Sequence, residues 1–292
     1  MPMRPITRMK GLQIKTPALK ESVDYYTRGF GLSLASGDDE VAVFAGARGA
    51  GNVLEVHKAA RPGLVGLTFA MASVDDLKTS QADLASRGFP AERSDEAGGS
   101  NGAFAIKDSD GHRIGFVLDD GRPDERPTDD GRPLFISHVV INSPQPDKMT
   151  SFFVDVLGFK IADKYERDLL TFLRCAQPQH HCIGVAPGEA ASLNHFSLDV
   201  GSIDGLMRGV GRMQKNGFKP AWGPGRHGPG GNVFCYYEDP TGFIAEFTCD
   251  VIQIADEAAW TPKEWPRVPE TANVWGTGGP SPRAVELMNG RL

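Results

Sequence analysis

Apolar and polar positions along the chain follow one order, and they follow it four times. A short alternating run (residues 136–141, and again 195–200) ends at a Pro or Asp turn. An amphipathic segment with helical spacing comes next (147–157 and 203–216), and a Gly-Phe stop leads into further strand-like runs. Asp-Pro-x-Gly at 239–242 and Asp108-Ser-Asp-Gly111 each sit between two such runs and predict hairpin turns.

The halves of the chain also superimpose as text. GLQIKTPALKESVDYYTRGFGL from Gly11 overlies HVVINSPQPDKMTSFFVDVLGF from His138, matching the Ile-x-[Ser/Thr]-Pro turn, Tyr25-Tyr26 with Phe152-Phe153, and Gly31 with Gly158. GLTFAMASVDDL from Gly66 overlies HFSLDVGSIDGL from His195, and FAIKDSDGHRIGF from Phe104 overlies FCYYEDPTGFIAEF from Phe234. A repeat of this length decides the architecture. The expectation is an α+β chain of two domains, each a pair of βαβββ modules. The first domain spans residues 1–118 and lacks metal ligands. The acidic, Pro-rich stretch 119–133 is the linker, 134–250 the second domain, and 251–292 a Trp-bearing tail that follows no repeat and packs over the rest.

Composition narrows the function classes. A chain of 292 residues with 40% hydrophobic and 23% charged residues can bury a core without staples. The net charge of -6 and the lack of a Lys/Arg stripe argue against a nucleic-acid partner. No apolar run approaches the ~18 residues of a membrane span, and the basic N-terminus is followed by no apolar run, so neither secretion nor a membrane partner is expected. Cys175, Cys182, Cys235 and Cys249 form no CxxC pair and are read as reduced thiols of a cytoplasmic protein.

The repeat then isolates the chemistry. Where the second copy has His138, His195 and Glu246, the first has Gly11, Gly66 and Gly115. A single buried histidine on an apolar strand more often packs than ligates. Three donors that all face glycine in the other copy point instead to a metal. The two histidines lie on the first strands of their modules and Glu246 on the last strand of the fourth, so strand alternation can turn all three to one face. Two imidazoles and a carboxylate suit non-haem Fe(II), with Mn(II) possible, and leave positions open for guests.

The segment GRHGPGGNVFCYYEDPTGFIAEF, with His227, Tyr236, Asp239-Pro240, Gly242 and Glu246, resembles the signature of type I extradiol ring-cleavage dioxygenases of the vicinal oxygen chelate superfamily. Cys235 departs from it, at a place usually held by an aliphatic residue or Phe. The resemblance covers essentially the whole chain, including the Trp275-Gly276 pair of the tail. It implies open, mixed, barrel-like sheets with outer helices, ligands at His138, His195 and Glu246, and extradiol cleavage of a small aromatic diol with O2 as co-substrate. It also implies His181 as acid-base residue, His227 and Tyr236 as hydrogen-bonding groups at substrate or oxygen, and a homo-oligomer. By alternation His180 should face away from His181, which is expected on the strand HHCIGVA. Arg174, Arg226 and Arg283 are the candidate cations for a carboxylated substrate. Two rivals stand beside this reading: a glyoxalase-like metal-dependent lyase or isomerase, and a non-catalytic small-molecule binding protein of the antibiotic-resistance type.

Overall fold

The structure is a computed structural model and describes residues 3–49, 51–93, 102–121 and 127–292. Four βαβββ modules follow one another. The first comprises β1 (Ile6–Thr16), α1 (Leu19–Asp24), β2 (Ser33–Gly37), β3 (Val41–Ala45) and β4 (Asn52–Lys58). The second comprises β5 (Gly63–Met71), α2 (Val74–Ser86), β6 (Glu92–Arg93), β7 (Phe104–Lys107) and β8 (Arg113–Leu118). The third runs through β9 (Phe135–Ser143), α3 (Pro146–Ser151), β10 (Lys160–Tyr165), β11 (Thr171–Arg174) and β12 (Ile183–Pro187). The fourth is β13 (Ser192–Asp199), α4 (Ile203–Lys215), β14 (Trp222–Arg226), β15 (Val233–Glu238) and β16 (Ile244–Cys249). The expected α+β class of paired modules is therefore what the chain adopts.

Both sheets share one plan. The first strands of paired modules lie antiparallel at the centre, β1 beside β5 and β9 beside β13, and each is flanked by the parallel last strand of its own module. Helices start where the sequence caps them: Ser73 and Ser202 accept the backbone N–H of Asp76 and Gly205. Leu206, Val210 and Met213 then bury one face of α4. In the odd modules α1 and α3 both run into a π-helical turn, Tyr25–Gly29 and Phe152–Val156, at the repeated aromatic pair.

Those aromatic pairs cross between the halves. Tyr25 packs edge-on to Phe218 and Phe30 stacks on Phe247 at 4.0 Å. Reciprocally, Phe152 meets Phe89 and Phe153 meets Phe69. One continuous apolar core results, running from Ile6 to Cys249.

Of the predicted linker, residues 122–126 lie outside the described residues; Asp119 and Asp120 pair with Arg8, and Asp120 also with Lys10. The tail does pack over the second sheet. Its strand β17 (Glu264–Trp265) adds to β10, and after the short helix α5 (Pro269–Ala272) the last helix α6 (Pro282–Met288) lies against Phe234, Tyr236 and Ile244. Among the described residues, no helix is long and apolar enough to cross a membrane.

Candidate metal centre

Three adjacent strands supply three donors. Ser197 of β13 pairs with His138 of β9 on one side and Glu246 of β16 on the other, so these positions form one row across the sheet. His195 lies two residues from Ser197 on the same strand, hence on the same face. A β-bulge precedes each histidine: the ladder skips Ser137 and Asn194, and the local kink re-aims the side chain that follows. The first sheet has equivalent bulges at Lys10 and Val65, just before Gly11 and Gly66.

The donor atoms converge. One ligand atom from each of His138, His195 and Glu246 lies within 4.8 Å of the others, and all three residues are buried. Glu246 Oε2 stands 3.0 Å from His138 Nε2 and 3.6 Å from His195 Nε2, yet makes no hydrogen bond, because the approach is off the hydrogen-bond line. Burial drives the pKa of both imidazoles down to about 3, so both are neutral near pH 7. Burial also raises the Glu246 carboxyl, with His195 and His227 opposing it.

Neighbouring residues choose the imidazole tautomer. Asn142 Nδ2 donates to the Met288 carbonyl, which leaves its oxygen to accept from Asn194 Nδ2. Asn194 Oδ1 therefore accepts, and His195 Nδ1 donates to it at 2.8 Å. The bare Nε2 of His195 is thus directed at the carboxylate. Ser137 Oγ meets His138 Nδ1 at 3.2 Å, and Asn232 donates to Glu246 Oε1. The bare nitrogen of His195, the Nε2 of His138 and a buried carboxylate oxygen, all converging on one point, form a donor set that fits a divalent cation.

A cavity of about 430 Å³ opens beside this point. His181, His227 and Tyr236 all line it, with Leu169, Leu170, Phe172 and Val268 among its apolar walls. His181 packs 4.5 Å from the His138 ring. It lies in the loop before β12 and not on the strand that HHCIGVA predicts; the ladder begins at Ile183, while Gln179 and the His180 N–H pair with Gln253 and Ile252 of the tail. Gly230 approaches so closely that a Cβ there would lie 2.9 Å from His181 Cε1, and its φ of +73° suits glycine. His227 stacks on Phe234 at 3.9 Å, gives Nδ1–H to the Ala272 carbonyl, and receives the Tyr236 hydroxyl at Nε2. Burial lowers the pKa of both His181 and His227. Tyr237 packs in the core instead, against Phe247.

The candidate cations do not line this cavity. Arg174 pairs with Glu257, Arg226 with Asp250, and Arg283 with Glu238. Arg267 of the tail lines it instead, a residue no motif or spacing marks. Nor does any motif mark Asn194, Asn232 and Ser137, although each contacts one of the three donors.

The profile of the glyoxalase/bleomycin resistance protein/dioxygenase superfamily matches residues 9–116 and 135–247, one match for each sheet. The chain belongs to this superfamily. Within it, the chain is 30% identical over 129 residues to metapyrocatechase 2 of Cupriavidus necator, a match covering 44% of this chain and 40% of that one. It is 26% identical over 155 residues to an iron-dependent extradiol dioxygenase of Rhodococcus jostii, covering 48% and 50%. These matches thus span half or less of the relatives' own lengths. A solved structure, the Mn(II)-bound glyoxalase of Novosphingobium aromaticivorans, superimposes with a TM-score of 0.86 at 28% identity over 96% of this chain and 94% of that one.

Proposed function

We propose that this protein cleaves a catechol-type ring in the extradiol sense, inserting both atoms of O2 at a mononuclear non-haem Fe(II) held by His138, His195 and Glu246. The observation that carries this reading is the meeting of those three donors around a partnerless buried carboxylate oxygen, beside a cavity wide enough for an aromatic ring. Its sequence support is the similarity to an iron-dependent extradiol dioxygenase and a metapyrocatechase. In this assignment residues 1–118 are a scaffold without ligands, 134–250 carry the catalysis, and the tail 251–292 closes the site.

Bound Fe(II), or Mn(II) in its place, would supply Lewis acidity toward the diol and an electron path to O2. The protein's own residues do the rest. His181, neutral because it is buried, takes a diol proton and returns it as the ring opens. Tyr236 and His227 act as a coupled pair: the tyrosyl proton points to His227 at rest, and rotation of the hydroxyl hands it to a charged oxygen of bound substrate. Leu169, Leu170, Phe172 and Val268 keep water from the reacting face.

Oxygen uptake tests the reading. Fe(II)-loaded protein given a panel of catechols should consume one O2 per diol and form a ring-opened semialdehyde or keto acid that absorbs in the visible. The similarity to the Mn(II)-bound glyoxalase favours a second reading, a glyoxalase-like lyase or isomerase. Turnover of a thiohemiacetal with no O2 uptake on any diol would establish that one instead. Cytoplasmic location and a homo-oligomer complete the proposal; fractionation and light scattering check them.

A further inference from the structure

Beneath the cavity lies a second buried carboxylate that the reading above leaves unused. Asp163 of β10 is 1% exposed. Its Oδ1 accepts the Lys263 backbone N–H and its Oδ2 the Trp265 indole N–H, both at 2.7 Å and both from the tail. Burial pushes its carboxyl up, but His180 and these two donors outweigh that and hold it below the ordinary carboxylate range, so it is an anion near neutral pH. A buried anion without such partners would be strongly unfavourable, more so than an unpaired neutral polar group.

The third group at Asp163 is His180, whose Nε2 lies 3.1 Å from Oδ2. The approach is bent, but the contact is among those that keep Asp163 ionised, which places a proton on the nitrogen facing it. A ring with its one proton on Nε2 accepts at Nδ1. That atom is 3.0 Å from His181 Nδ1. One of the two must donate, and only His181 can. Its proton is therefore on Nδ1, and Nε2 is the ring's bare nitrogen. Packing fixes the stack: Phe172 contacts both rings, and Trp260 sits edge-on to His180 at 5.3 Å while its indole N–H holds the Ala162 carbonyl. His180 does not line the cavity; in this loop, off the strand, its ring instead meets that of its neighbour.

We propose that Asp163 and His180 are positioning residues that fix His181 as the Nδ1–H tautomer, leaving Nε2 free to accept a proton, and that the C-terminal tail sets this choice by holding Asp163. The functional part rests on the reading of His181 as the residue that takes the diol proton. The tautomer itself does not depend on that reading.

The test is nitrogen NMR on ¹⁵N-histidine-labelled protein loaded with diamagnetic Zn(II), read beside steady-state kinetics of the Fe(II) form. In the wild type, His181 should show a pyrrole-type Nδ1 and a pyridine-type Nε2. The reverse pattern overturns the proposal even if no variant folds. Asp163→Asn and His180→Phe should mix or reverse the two signals and lower kcat about 10- to 100-fold, with KM and bound metal little changed, as expected for loss of an orienting partner. An unaltered His181 tautomer in a folded variant overturns the proposal as well. If the wild type opens no diol ring, the functional reading fails while the NMR result still decides the tautomer.

Discussion

The two sheets are built on one plan to the level of individual bulges, yet among the described residues only the second gathers donors. In the second, Ser197 stands between His138 and Glu246; in the first, Thr68 stands between Gly11 and Gly115 in the same register. The difference is more than three missing side chains. A Cβ at Gly11 would meet only ordinary contacts, the nearest being the Val53 carbonyl at 3.6 Å, whereas one at Gly66 would run into the Arg113 carbonyl. The first sheet has closed the space that the second keeps for His195. Its Phe69, and Phe89 beside it, pack against Phe153 and Phe152 of its partner.

The largest effect should come from unmaking the difference at the three donors. His138→Ala should remove stoichiometric metal and lower turnover by well over ~100-fold, since even partners one bond further out cost that much. Gly11→Ala, the matching change in the first sheet, should leave metal content and turnover as they are. Metal analysis of both proteins checks the pair, and stoichiometric iron in His138→Ala would remove that residue from the site. Next in size is His181→Asn, which should lower kcat by about 10²- to 10⁴-fold, the usual yield of general acid-base catalysis, with iron still bound.

How far the sequence foretold this asymmetry depends on what each feature needs. His138, His195 and Glu246 were legible because duplication turns position into comparison: a donor facing glycine at constant offset needs no coordinates to stand out. The modules were legible because each strand or helix runs long enough to show its period. Asp163 was not, because it is one acidic residue in a strand of mixed polarity and its meaning comes from tail residues 100 or so positions on. The pairing of β17 with β10 covers two residues, too few for any pattern. HHCIGVA alternates and so predicts a strand through His181; in the fold this stretch pairs with Ile252 and Gln253 instead, contacts that nothing local encodes.

The packing between halves gives a prediction of comparable energy but different readout. Phe30 is fully buried and lies against Tyr25, Tyr26, Tyr237 and Phe247. Phe30→Ala should cost about 3–5 kcal/mol, the range for aromatic truncation in a core. Phe153→Ala, on the reciprocal helix, should cost a similar amount. Because the core is continuous, urea should unfold each variant in one transition followed alike by fluorescence and circular dichroism. Two separated transitions would mean that the halves stand independently.

The smallest predicted effect distinguishes the two hairpin turns. Asp108 and Asp239 both cap their turns, each accepting two backbone N–H groups at Oδ1. Their second oxygens differ: Asp108 Oδ2 faces His112 Nδ1, while Asp239 Oδ2 accepts the Tyr26 hydroxyl across the boundary between halves. Burial raises the Asp239 pKa to about 6, against the hydrogen bonds that favour its charge. The folded state therefore holds this proton more tightly than the unfolded chain does, and stability from this group falls as pH rises from about 4 to about 6, by roughly 3 kcal/mol. His138 and His195 act in the opposite sense, because their lowered pKa values make the metal-free protein lose stability as pH falls below about 6.5. Comparing Asp239→Asn with wild type by urea denaturation at a series of pH values cancels the histidine contribution. The variant's stability relative to wild type should rise by about 3 kcal/mol between pH 4 and pH 7. A difference that stays flat across that range would show that Asp239 keeps its charge in the fold, with the Tyr26 hydrogen bond enough to offset its burial.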